Sequence, residues 1–254
     1  LYSDQNGFNN AAALLADTNS FKGIDIIRFG NSINEIMERK SLENISILLQ
    51  MEQCIQMFHQ YYRYEKIEGM DRKSVDKIPE RDFREAVANA LVHRMWDIPA
   101  SIKISMYSDK IEISSPGGLP AGISEDEYLN GQISLLRNPI IGNVFFRLKY
   151  IEKFGTGIMR INYAYKDALI KPDYHIFSNS IQIILPVIKS DYKLNETEKK
   201  LLNILKINGS MTRNEIEKAA EIDKSKAIRG LNRLIEKKMI QKRDLGRGTK
   251  YEIV

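Results

Sequence analysis

The sequence holds a single cysteine, Cys54, which excludes a disulfide framework, and no Cys/His set falls at zinc-site spacing. Both absences point to a reducing compartment, so a cytoplasmic protein is expected. No apolar run reaches membrane length and no signal peptide opens the chain, so a membrane partner is not expected. A G-x-x-x-x-G-K-[ST] phosphate loop is missing throughout, which excludes a motor of the helicase kind. A strong charge bias is lacking too. The 38 Lys+Arg residues exceed the 33 Asp+Glu residues by only five, so the place where basic residues cluster matters more than the net charge. They cluster toward the C-terminus. The chain opens at Leu1 rather than at a methionine, so a preceding segment is expected.

The 254 residues, 43% hydrophobic and 28% charged, suffice for one large or two small domains with a real core. Glu80 to Arg94 (ERDFREAVANALVHR) is the stretch around which the rest is organised. Phe83, Ala86, Val87, Ala90 and Leu91 recur at helical spacing and form a packing face. Glu85, Asn89 and His93 then fall one turn apart on a narrow polar stripe between alanines and Val92. A carboxylate and a carboxamide flanked by apolar residues need partners. A ligand, a metal, an ordered water or a neighbouring loop can supply them.

The spacing predicts a short helix over 8–16, a buried strand over Ile24–Phe29, a long helix from Asn44 to Tyr61 and a strand over 61–70. Cys54 and His59 read as packing or surface residues of that long helix. A turn through 71–79 leads to the organising helix. Ala100–Tyr107 and Lys110–Ser114 alternate as a hairpin that runs into Ser115-Pro116-Gly117-Gly118-Leu119-Pro120. Arg137-Asn138-Pro139 precedes an apolar helical stretch through Leu148. A second glycine loop, Phe154-Gly155-Thr156-Gly157, opens a helix over 159–168, and glycines beside a helix N-terminus expose amides suited to phosphate. Strands over 174–178 and 180–186 close the unit.

The segments REAVANALVHR, IEISSPGGLP, RNP and EKFGTGI, in this order over roughly residues 75 to 187, resemble the divergent ATP-binding domain of bacterial RecG-like transcriptional regulators. That domain belongs to the GHKL family of histidine kinases and gyrase. The resemblance implies an α/β sandwich with a mixed sheet that binds ATP and Mg2+, with Asn89 holding the metal and Glu85 acting as general base. It implies a nucleotide site built from Glu85, Asn89, His93, Arg94, Ser115, Gly117, Gly118, Leu119, Arg137, Asn138, Gly155, Thr156 and Gly157. One departure stands out: the family's adenine-binding Asp is Ser115 here, whose neutral hydroxyl cannot make a charge-assisted contact. Residues 8 to 66 are similar to the C-terminal part of the Schlafen-type AlbA module.

After a polar linker over 189–195 the pattern changes. Helices are expected over 197–207, from the capping box Thr212-Arg213-Asn214-Glu215 onward, and over 224–238, followed by two short strands around Asp244-Leu245-Gly246-Arg247-Gly248. This resembles a winged helix-turn-helix domain with the third helix for recognition. Lys224, Ser225, Lys226, Arg229, Arg233, Arg247 and Lys250 are its expected DNA-binding residues. A winged helix used for protein contacts is the alternative.

The resulting expectation is an α+β chain: an AlbA-type remnant at 1–66, a GHKL-like nucleotide domain at 67–188 and a winged helix at 195–254. It describes a DNA-binding transcriptional regulator, expected as a homodimer on double-stranded DNA, with the nucleotide as a switch. An ATPase acting on DNA or a partner protein, and an interaction scaffold with a decayed nucleotide site, are the competing readings.

Overall fold

The computed structural model describes residues 2–3, 7–132, 135–151, 155–168, 170–188, 194–237, 239–244 and 249–253. The chain forms two compact α+β units, residues 1–188 and 189–254. In the first, β1 (Tyr2–Ser3) pairs with β2 (Gly7–Phe8) ahead of α1 (Asn10–Leu15). The helix expected over 8–16 is shorter because Gly7 and Phe8 pair as a strand and Asn9 caps it by accepting from the Ala12 amide. β3 (Ile24–Phe29) lies where it was predicted, and β4 (Ile36–Leu42) follows. Only Leu42 of β4 is buried, so this edge strand carries no alternation for the sequence to signal.

α2 (Ile47–Tyr62) is capped by Ser46 and leads to the hairpin of β5 (Arg63–Glu68) and β6 (Asp71–Asp76). β6 replaces the turn expected over 71–79, because the exposed, polar DRKSVD run lacks the apolar alternation of a half-buried strand. α3 (Glu80–His93) is the organising helix, followed by β7 (Ile102–Met106) and β8 (Lys110–Pro116). α4 (Glu125–Leu129), α5 (Pro139–Arg147), α6 (Gly157–Ala164), β9 (Asp173–Phe177) and β10 (Ser180–Pro186) complete the unit.

One mixed sheet of order β4-β3-β7-β8-β10-β9 runs through it, with β3 and β7 parallel and its other pairs antiparallel. α3 packs on β8 and is flanked by α2, α5 and α6. Phe83 of α3 stacks on Phe58 of α2 at 4.6 Å, and Ala86, Val87, Ala90 and Leu91 are buried as the spacing predicts. Each fully buried large side chain stabilises the fold by about 1.5–3 kcal/mol. The boundary expected at residue 66 is not a break in this packing, because β3 lies between β4 and β7 within the one sheet. Among the described residues no helix is long and apolar enough to cross a membrane.

The second unit is a winged-helix arrangement of α7 (Glu196–Asn208), β11 (Met211–Thr212), α8 (Arg213–Ala220), α9 (Lys224–Glu236), β12 (Ile240–Asp244) and β13 (Thr249–Ile253). Its sheet has three strands in the order β11-β13-β12, one more than expected, because Met211 and Thr212 pair with Tyr251 and Lys250. Capping boxes start α7 at Asn195 and α8 at Thr212. Residues 189–193 of the expected linker and 245–248 of the wing tip, Arg247 included, lie outside the described residues.

Candidate functional site

α3 presents its polar stripe half-buried. Asn89 donates from Nδ2 to Glu85 Oε1 at 3.1 Å, an i,i+4 pair that leaves Asn89 Oδ1 for another donor or a cation. Gly157, the first residue of α6, is pressed against both: a methyl there would collide with Glu85 Oε1 and lie 3.1 Å from Asn89 Nδ2. Two adjacent hollows share Asn89, His93 and Tyr128 in their walls. One, of about 330 Å3 with its open mouth, reaches Ser115, Gly117 and the isoleucines of β8 and β10; the other, of about 510 Å3, reaches Gly155 and Ile158. The structure thus brings Asn89, His93, Ser115, Gly117 and Gly155 to one cleft, with Glu85 and Gly157 adjoining through Asn89.

The walls are electrically quiet. Burial and the Arg137 charge push the His93 imidazole down to about 4, and burial pushes the Tyr128 phenol up to about 12. Both are neutral at pH 7.

Several expected ligand-binding side chains are engaged elsewhere. The Ser115 hydroxyl donates to the Ala90 carbonyl at 2.9 Å, tying β8 to α3 and keeping its proton from a ligand. Arg94 points out of the cleft: the residue is 1% exposed, and its guanidinium donates to the carbonyls of Lys22, Gly23 and Ala100 and lies 4.3 Å from the Trp96 ring centroid. Burial pushes it down to about 10, so the loop carbonyls hold a costly cation. Arg137 donates to the carbonyls of His93 and Gly118, and Asn138 donates from Nδ2 to those of Val92 and Arg94 at 2.7 and 2.8 Å. The Arg-Asn-Pro segment therefore closes the C-terminal end of α3, whose last carbonyls lack helical partners. Gly118 and Leu119 border neither hollow, and Thr156 faces a different one.

Among the described residues no group of three or more His, Cys, Asp and Glu gathers to hold a metal ion. Magnesium needs less, since one or two protein oxygens and several phosphate or water oxygens complete its octahedron. Asn89 keeps its Oδ1 for that partial role, since its Nδ2 is spent on Glu85.

In the second unit α9 buries Ala227, Leu231 and Leu234 and exposes Lys224, Ser225, Lys226 and Arg229. Gly230 lets α7 approach closely, for a methyl there would run into Leu201. Lys237, expected to face outward, is half-buried and turns to the buried Glu198 at 2.8 Å, because that carboxylate would otherwise be an uncompensated charge, whereas Arg233 stays exposed as expected and reaches Glu198 only at 3.9 Å. Lys250 is half-buried on β13 beside Thr212.

Two residues of consequence escaped the sequence reading. Tyr128 follows the capping box of Ser124 and Glu127, a signal that was present in the chain. Asp82 stands four residues before Ala86 on the apolar face of α3, a carboxylate where the pattern calls for an apolar residue.

Comparison with known proteins follows this division. Residues 100–185 match the family model described as "Putative ATP-dependent DNA helicase recG C-terminal", a stretch that begins after α3 and so leaves out Glu85, Asn89 and His93. No curated protein matches the chain. The crystal structure of the DIP2311 protein from Corynebacterium diphtheriae is similar over 99% of this chain at 19% identity and a TM-score of 0.64, a likeness of fold. This chain spans about half of that one, 55%. Residues 188–254 match the family model described as "Sugar-specific transcriptional regulator TrmB", so the winged-helix unit is similar to a family of transcriptional regulators.

Proposed function

We propose that the chain is a DNA-binding transcriptional regulator whose winged helix reads duplex DNA and whose first unit binds a nucleotide as a switch. The observation that carries this reading is the solvent face of α9, where Lys224, Ser225, Lys226 and Arg229 stand exposed opposite a fully apolar buried face. A helix with that division suits the major groove, with Lys226 and Arg229 toward bases and Arg247 and Lys250 toward phosphates. The TrmB match over the same residues supports it. In the first unit, the cleft beside Asn89 takes the ring of a nucleotide, and Asn89 holds magnesium with the phosphate oxygens. Glu85 then stands where a base for hydrolysis belongs.

The test is binding of the full chain to an operator and to random duplex at several salt concentrations. Arg229→Ala is expected to lose about 1–3 kcal/mol of sequence discrimination, and Arg247→Ala to lower the salt slope by about one unit. Absence of duplex binding at low salt sinks the DNA reading. The scaffold reading has its own support in the Ser115 hydroxyl, which is spent on Ala90. Thermal-shift titration with ATP, ADP and GTP, with and without magnesium, separates the two. No shift with any of them removes the nucleotide.

A further inference from the structure

The first turn of α3 and the start of α6 enclose another hollow, of about 850 Å3 with its open mouth, apart from the cleft beside Asn89. Two buried polar atoms belong to its walls. Asp82 is 2% exposed, and neither its Oδ2 nor Thr156 Oγ1 finds a hydrogen-bond partner among the described residues. Buried acceptors and hydroxyls left in that condition cost free energy that a bound donor returns. Met159 and Tyr163 give the hollow an apolar side.

Arg81 and Arg160 border this hollow and also a neighbouring one, which adds Arg84, Lys149, Tyr150 and Glu85. Among the described residues, Arg81, Arg84, Lys149 and Arg160 and one carboxylate, Glu85, border it; Arg84 also reaches Glu80 at 3.9 Å, and Glu85 accepts from Asn89. Lys149 has φ +60° directly after the last turn of α5, and the following Tyr150 amide bonds back to the Phe145 carbonyl. Glycine is the residue that adopts this conformation without strain, so the lysine is kept there at a cost while its side chain borders the cationic hollow.

We propose that the two hollows form one site for a small phosphomonoester, its phosphate among Arg81, Arg84, Lys149 and Arg160 and its other end donating hydrogen bonds to Asp82 and Thr156. The Asp82 end offers an unpartnered acceptor, which suits a hydroxyl or an amino group and not a second phosphate; a continuous nucleic-acid backbone and a diphosphate running through both hollows are therefore excluded. A hydroxylated ring and an aminated ring both meet the requirement. A sugar phosphate and a nucleoside monophosphate are therefore the two sources of the same chemistry.

The experiment is calorimetric titration of the full chain with glucose 6-phosphate, AMP and inorganic phosphate, repeated on three variants. One of the two phosphomonoesters is expected to bind more tightly than inorganic phosphate. Asp82→Asn, close in shape, is expected to weaken that ligand tenfold or more. Lys149→Gly is expected to weaken it several-fold while raising the melting temperature of the free chain, so the loss cannot be assigned to unfolding. Failure of both phosphomonoesters to bind at millimolar concentration overturns the proposal, as does an affinity unchanged by both variants. Affinity lost in Asn89→Ala but kept in Asp82→Asn also overturns it, since the ligand then sits in the cleft beside Asn89.

Discussion

The Pro116-Gly117-Gly118 loop and the Gly155-Thr156-Gly157 loop place the same residue type beside the same helix and use it for different ends. The first is closed by the protein itself. Gly117 holds φ +106°, a conformation L side chains rarely adopt, and donates its amide to the Asn179 carbonyl at 2.8 Å. Gly118 lies so close to the turn between β9 and β10 that a methyl would strike the backbone carbonyls of Phe177 and Ser178. Its own carbonyl accepts from Arg137. The second loop meets side chains rather than backbone: Gly157 abuts Glu85 and Asn89, and Thr156 keeps an unpartnered hydroxyl among the described residues. A glycine loop closed by backbone is a packing device, whereas one closed by functional side chains has polar capacity left for a ligand.

One methyl added to each loop should separate them most. Gly118→Ala is expected to destabilise the chain by about 3 kcal/mol, because backbone cannot swing aside. Gly157→Ala is expected to cost only about 1 kcal/mol, since the end of the Glu85 side chain can turn away, yet to abolish nucleotide binding. Denaturant unfolding and a nucleotide titration on both variants decide it. Equal stability losses would erase the distinction between the loops.

Arg137→Ala sharpens the same contrast with a smaller effect. It strips donors from the carbonyls of His93 and Gly118 and leaves the second loop untouched. A loss of about 2 kcal/mol is expected, measured by the shift of the urea midpoint at constant slope. A shift under a quarter of that size would make the Arg-Asn-Pro segment a bystander to the α3 terminus.

The fold was legible where burial wrote a period into the chain. β3, β10 and the packing face of α3 stand where their spacing put them, since one side of each is excluded from water. β4 and β6 were illegible because their residues face solvent and the pairing rests on backbone hydrogen bonds. The stripe of Glu85, Asn89 and His93 was legible as residues that need partners, and so was its proximity to the second glycine loop. What the sequence could not tell was which donors the protein would consume. Ser115, Arg94, Arg137 and Asn138 all spend donors on main-chain carbonyls from segments distant in sequence, Arg94 on those of Lys22 and Gly23, contacts that only the assembled fold creates. Asp82 escaped for the opposite reason: nothing local distinguishes a first-turn carboxylate that caps a helix from one buried without a partner.

The finest test compares Asp82 and His93, two groups of α3 whose protons move in opposite directions on folding. Burial, helped by Glu85 and opposed by Arg81, pushes the Asp82 carboxyl from 3.8 up to about 7. Between those values the folded chain holds a proton that the unfolded chain has released, so this group's contribution falls as pH rises and is lost above about pH 7. His93 runs the other way. Its ordinary value of 6.5 drops to about 4, so the unfolded chain holds the extra proton in that window. Its contribution is present above pH 6.5 and is lost as pH falls toward 4. The two nearly cancel in the native protein. Asp82→Asn should therefore expose a stability that rises with pH relative to the native chain, by at most about 1.4 kcal/mol per pH unit, and His93→Gln should expose one that falls. Unfolding free energies at several pH values across this range give both differences, and other carboxylates drop out of each subtraction. Difference curves that are flat for both variants would mean that neither proton is held by burial in α3.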